Sequence, residues 1–155
     1  MERTPAIFDK IGSLIPGYSG YAEREGRRQC DKILRSQIAS ELQNCERLSQ
    51  DKITDLIKEK KFDLLNSFEN CRKRVDTLIS KVRYASYGSS SFFSDAQIKE
   101  NELQEIYKRD LLLMEAVQSL KASLQQSPSS ESIIDILSNI DKMLFTRNQY
   151  LKEFK

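Results

Sequence analysis

Residues 103–124 read LQEIYKRDLLLMEAVQSLKASL, and residues 133–154 read IIDILSNIDKMLFTRNQYLKEF. In the first stretch Leu103, Ile106, Asp110, Leu113, Val117, Leu120 and Leu124 step by three and four. In the second, Ile133, Leu137, Ile140, Leu144, Arg147, Leu151 and Phe154 do the same. That spacing puts each series on one face of an α-helix. Laid against each other in opposite directions, facing residues carry numbers that sum to 257, so that Leu124 meets Ile133, Leu120 meets Leu137, Val117 meets Ile140 and Leu113 meets Leu144. Asp110 then meets Arg147, and each is the sole charge in its stripe. A lone buried charge is too costly to keep. The register therefore predicts a structural ion pair between Asp110 and Arg147 inside the seam.

Working outward, the same reading predicts helices over 95–126 and 131–153, separated by a turn at Ser127-Pro128-Ser129-Ser130. Ser94 with Gln97 reads as the capping box that opens the first of them. Upstream, a helix is expected over 20–47 with the stripe Ala22, Gly26, Cys30, Leu34, Ile38, Leu42 and Cys45. Its small early members would let another helix approach closely. Ser49 reads as the cap of a helix over 50–84, where Ile57, Leu64, Cys71 and Leu78, with Phe68, Val75 and Val82, form two seven-residue series. Pairing these two helices gives sums near 98, with Cys45 by Ile53, Leu34 by Leu64 and Cys30 by Phe68. Thr4-Pro5 starts a short amphipathic helix over 5–14. The expected fold is all-α: an antiparallel four-helix bundle of two long helical hairpins with a short N-terminal amphipathic helix, in one domain over 1–155.

Composition narrows the function. The 155 residues hold 25 Lys and Arg against 23 Asp and Glu, a formal net charge of +2, so no global field argues for nucleic acid or membrane. No apolar run is long enough to span a bilayer, and no signal-peptide core opens the chain, so a cytoplasmic location is expected. There is no histidine. That removes the usual acid–base and nucleophile–base arrangements and the Glu-x-x-His pattern of di-iron bundles, so no catalytic residue and no cofactor is expected. Cys30, Cys45 and Cys71 are odd in number and lie far apart, which argues against a disulfide framework. A three-thiolate metal site has little support, and the preferred reading is small buried hydrophobes in a reducing compartment.

With that layout, distant segments meet at one end. The expected cluster holds the cations Arg24, Arg27, Arg28, Arg72, Lys73, Arg74, Lys81 and Arg83 with the aromatics Tyr18, Tyr21, Tyr84, Tyr87, Phe92 and Phe93. Cations beside aromatics suit an anionic partner: an acidic protein, a membrane surface or single-stranded nucleic acid. The plainer reading is that the cations are solvated and the aromatics plug the end. The N-terminal helix likewise has two readings, a lid on the bundle or an anchor on an anionic membrane.

The stretch IPGYSGYAEREGRRQCDKILR over 15–35 resembles the opening motif of a family of uncharacterised bacterial helical proteins. RYASYGSSSFF over 83–93, followed by residues 103–110, is similar to a second motif of that group. The resemblance implies a bacterial helical protein and no particular activity. In layout alone, an amphipathic helix before a helical hairpin is similar to phage-shock and ESCRT-III-like membrane-remodelling proteins. The expectation that follows is a non-enzymatic helical interaction or scaffold module whose loop end meets a protein partner. Membrane-surface remodelling and nucleic-acid binding rank behind it, and oligomeric state is left open.

Overall fold

The computed structural model describes residues 4–126 and 129–154, with side chains from residue 6 onward; Ser127 and Pro128 of the expected turn lie outside the described residues. The fold is all-helical, with no strand among the described residues. Its helices are α1 (Thr4–Leu14), α2 (Arg24–Lys58), α3 (Leu65–Arg83), α4 (Glu100–Gln125) and α5 (Ser130–Lys152), with a 3-10 turn at Phe62–Leu64. α2 packs on α3 and α4, α4 on α5 and α1, and α3 on α5.

The α4/α5 seam forms as the periodicity requires. Each of the facing apolar residues from Leu113 and Leu144 outward to Leu124 and Ile133 is buried, and Arg147 Nε donates to Asp110 Oδ1 at 2.6 Å. The Ser129 hydroxyl accepts from the Ser132 N–H and caps α5. α1 turns Ile7 and Ile11 inward, Ile15 just after it is buried as well, and the Phe8 ring meets the Tyr107 ring edge-on at 5.4 Å. Its apolar face is thus occupied by the protein itself.

The expected break at Ser49 does not occur, and α2 is one helix of 35 residues. Ser49 is buried mid-helix, and its hydroxyl donates to the Cys45 carbonyl one turn back, which removes it as a cap. α2 stops instead at Glu59–Lys61. There Lys60 takes the left-handed conformation (φ 58°), its N–H bonds the Ile57 carbonyl, and the Lys61 N–H bonds the Leu56 carbonyl. These two bonds close a Schellman motif on a lysine where glycine is usual. The later turn overturns the pairing near 98. Cys45 and Ile53 share one helix, Arg35 reaches the carbonyls of Val82 and Arg83, and Lys52 lies over the Phe68 ring.

Three smaller expectations also fail. Ala22 is exposed and precedes α2, and a Cβ on Gly26 would meet nothing nearer than Ser19 Oγ at 3.9 Å, so no helix approaches closely there. Ile57 and Leu64 lie beside the α2 stop and are 51% and 39% exposed, leaving the two seven-residue series to Phe68, Cys71, Val75, Leu78 and Val82. α4 begins at Glu100 rather than 95, because the Glu102 carboxylate accepts from the Lys99 N–H while the Ala96 carbonyl is turned to Arg27.

Candidate interaction site at the loop end

The loop after α1 is shaped by two glycines with positive φ, Gly17 (85°) and Gly20 (87°). At Gly20 a Cβ would sit 2.5 Å from the Tyr107 hydroxyl and 2.7 Å from the Phe8 ring, so only glycine fits. This backbone aims Tyr18 and Tyr21 inward. Tyr18 donates its hydroxyl to Asp110 Oδ2 at 2.7 Å, Tyr21 donates to the same oxygen at 2.5 Å, and the Tyr21 N–H donates to the Tyr107 hydroxyl at 2.9 Å.

Asp110 is one side of a larger network with Arg147 as its hub. Besides Asp110, Arg147 donates from Nη2 to Asp31 Oδ1 at 2.8 Å and to the Tyr21 hydroxyl at 3.2 Å, and from Nη1 to the Tyr87 hydroxyl at 3.0 Å. Tyr87 donates to Asp31 Oδ1 at 2.9 Å, and Arg35 Nε donates to Asp31 Oδ2 at 2.8 Å. Two carboxylates thus face two guanidiniums, with Arg147, Asp31 and Asp110 all sealed from solvent. A buried network of this kind is stabilising only when its members are satisfied, and these are.

Electrostatics follow from that geometry. Burial opposes the Arg147 cation, but Asp110, Tyr21, Tyr87 and Asp31 outweigh it and hold the guanidinium above its ordinary range. Burial likewise opposes the Asp31 anion, yet Arg147 and Arg35 hold its carboxyl below the usual range. Burial, then Asp110, pushes Tyr18 and Tyr21 well above an ordinary phenol, and burial takes Tyr87 up to about 12. The same effect takes the buried thiols of Cys30 to about 11 and Cys45 to about 12, and raises Cys71. Such thiols stay protonated and unreactive at neutral pH. No group of three or more Cys, Asp or Glu among the described residues is placed to hold a metal ion.

The expected cation cluster is divided by the structure. Arg27 is buried, at 2% exposure, and is not part of a surface. Its Nε donates to the Tyr21 carbonyl, its Nη1 to the Phe92 and Ala96 carbonyls, and its guanidinium lies 5.6 Å from the Phe92 ring centre. It ties two irregular segments whose carbonyls have no helix to bond. Arg72, Lys73 and Arg74 are not at the loop end either. The longer α2 sets Arg72 near Glu46, which lies 22 residues, or about 33 Å of helix, beyond Arg24. Arg72 pairs with Glu69, and Arg74 Nη2 donates to the Ser138 hydroxyl at 3.0 Å. Arg24, Arg28, Lys81 and Arg83 remain exposed near the end, Arg28 over the Phe93 ring at 5.4 Å and Lys81 in an ion pair with Asp141.

The aromatics divide in the same way. Tyr18, Tyr21 and Phe92 are buried, while Tyr87 and Phe93 are half-buried and in ring contact at 5.0 Å. Tyr84 alone of the six is open, at 80% exposure. Close to it stands Phe145 on α5, 62% exposed, a residue the sequence reading passed over because it lies off the apolar stripe. Asp31 and Arg35 were missed as well; their signal is the i, i+4 series Arg27, Asp31, Arg35 running beside Cys30 and Leu34.

Apart from Arg147, the members of the network lie in the stretches 15–35, 83–93 and 103–110, the ones that carry the motif resemblance. No helix among the described residues is long and apolar enough to cross a membrane. Set against known proteins, the chain matches no family model, no curated protein and no solved structure.

Proposed function

We propose that this chain is a non-enzymatic helical interaction module that meets a protein partner at the exposed rim of its loop end. In this reading the four long helices form an antiparallel four-helix bundle, α2 hairpinned with α3 and α4 with α5, and α1 laid on top. The pairing of Arg35 with the end of α3, and of Asp110 with Arg147, supports that arrangement. The buried network serves as a weld that holds the 16–23 and 84–99 segments in one shape. The rim is left to bind.

The observation that carries the reading is Tyr84. Of the six aromatics expected there it is the one kept 80% in water, and it shares a surface groove with Lys81 and Phe145. Exposed aromatics beside cations are what anchor a partner, whereas Tyr18, Tyr21, Tyr87, Phe92 and Phe93 are absorbed wholly or partly by packing. The membrane reading has less support, since Ile7, Ile11 and Ile15 already face the protein.

A photo-crosslinking amino acid in place of Tyr84, expressed in the source cells, tests this directly. A discrete protein adduct from position 84, with none from exposed Gln125 at the opposite end of α4, is the expected result. Lipid or nucleic-acid adducts from position 84, or equal labelling from both positions, would contradict it.

A further inference from the structure

The seam between α3 and α5 holds a surface groove that runs away from the loop end. Its wider part, about 500 Å³, is lined by Lys81, Tyr84, Lys142, Leu144, Phe145 and Asn148 among others. A narrower continuation, about 90 Å³, shares Lys81 and Asp141 with it and ends at Arg74, over Leu78 and Leu137. From Arg74 to Tyr84 is ten residues, about 15 Å or nearly three helical turns. The floor is leucine: Leu78, Leu137 and Leu144 are all at least 97% buried and close it from below.

The charges on the walls are lopsided. Arg74, Lys81 and Lys142 stand against the single carboxylate Asp141, which is already bonded to Lys81 at 2.8 Å. At the open end Tyr84 and Phe145 offer two aromatic side chains mostly in water. In the wall there, Asn148 Oδ1 is buried and accepts no hydrogen bond among the described residues.

We infer that this groove takes an acidic amphipathic helix from a protein partner. The inference rests on the functional reading above and names the partner's chemistry. A groove between two packed helices accepts the ridge of a third. Its length matches three turns, so the guest presents aliphatic or aromatic side chains at i, i+3 or i+4, and i+7. These meet the exposed Tyr84 and Phe145 rings above the closed leucine floor. Glutamate or aspartate flanking that stripe meets Arg74, Lys81 and Lys142. A phosphate backbone fits less well, because it has nothing apolar to bury against the exposed Tyr84 and Phe145 rings.

The test is a display library of 14-residue helical peptides with fixed leucines at i, i+3 and i+7 and a random choice of Glu or Lys at flanking positions. Selection on the wild-type protein should enrich Glu at the flanks. Phe145→Glu should weaken the selected peptides by at least about tenfold. Lys142→Glu should weaken them and shift a fresh selection toward Lys. Both side chains are exposed, so the variants should unfold like the wild type in urea, which separates lost binding from lost fold. No enrichment, enrichment of Lys, or peptides indifferent to Phe145→Glu would overturn the inference. Tighter Phe145-dependent binding of a poly-dT oligonucleotide would overturn it too. If the library fails while position 84 still crosslinks a protein, only the helical guest falls; if position 84 captures no protein, the interaction module itself falls.

Discussion

Arg147 and Asp110 face each other across the α4/α5 seam, Nε to Oδ1 at 2.6 Å, with both side chains at 1% exposure or less. The pair sets register, because a seven-residue slip of one helix past the other leaves both charges against apolar side chains, Asp110 against Ile140 or Phe154 and Arg147 against Leu103 or Val117. It also does more than the seam needs. The remaining donors of Arg147 reach Asp31 on α2 and the hydroxyls of Tyr21 and Tyr87, so one guanidinium joins three helices and two loops.

That wider role changes what removing the pair should do. For an isolated buried ion pair, replacing both partners by leucine is often neutral. Here Asp110→Leu with Arg147→Leu takes one of two guanidiniums from the buried Asp31 carboxylate, leaving it Arg35 and Tyr87, and takes the acceptor from Tyr18 and Tyr21. The double variant should lose about 2–4 kcal/mol of unfolding free energy in urea. A double variant as stable as the wild type would show that the pair acts alone.

Stability should fall at both ends of the pH scale. Asp31 has a depressed carboxyl in the fold, so its contribution is present above the unfolded value, about 3.9, and is lost as pH falls through the lower folded value. Asp31→Asn should lose that acid dependence. Tyr87, Tyr18 and Tyr21 are raised, so their contribution is complete below the unfolded value of about 10 and is lost as pH climbs above it. For Tyr87 that loss should run up to about 12. Tyrosinate absorbance followed with urea stability checks this; early ionisation of Tyr18, Tyr21 and Tyr87 in the folded protein would contradict it.

Two glycines only eight positions apart should respond in opposite directions. Gly20→Ala brings a Cβ against Tyr107 and Phe8 in a left-handed backbone and should cost about 2 kcal/mol or more. Gly12→Ala lies within α1 with nothing inside 4 Å of its Cβ and should stabilise by about 0.5–1 kcal/mol. Thermal melts of the two variants decide the matter, and equal shifts would mean the 16–21 loop is not held against Tyr107.

The α4/α5 half of the fold was legible because its stripes are regular and each carries one charge, so that a single register satisfied both. The α2/α3 half was not. Ser49 reads as a cap, yet it back-bonds to Cys45 inside a continuous helix, and the true stop at Lys60 carries neither glycine nor proline. Moving that turn slid α3 along α2 and took Arg72, Lys73 and Arg74 away from the end where they were expected. Arg27 escaped for another reason: its partners are three backbone carbonyls in irregular segments, and backbone atoms leave no pattern in side-chain sequence. Tyr18, Tyr21, Phe92, Phe93 and Tyr87 lie in one chain of ring contacts, but only the fold could say that Tyr84 faces water and Tyr21 does not.

The division of the loop end into a buried weld and an exposed rim is tested most directly by urea unfolding of Arg147→Met beside Arg83→Glu. Arg147→Met keeps the volume but leaves two sealed carboxylates short of their shared cation, and should lower the unfolding free energy by about 3–5 kcal/mol. Arg83→Glu alters an exposed side chain and should stay within about 0.5 kcal/mol of the wild type. If Arg147→Met unfolds at the wild-type urea midpoint, the weld does not hold the end together.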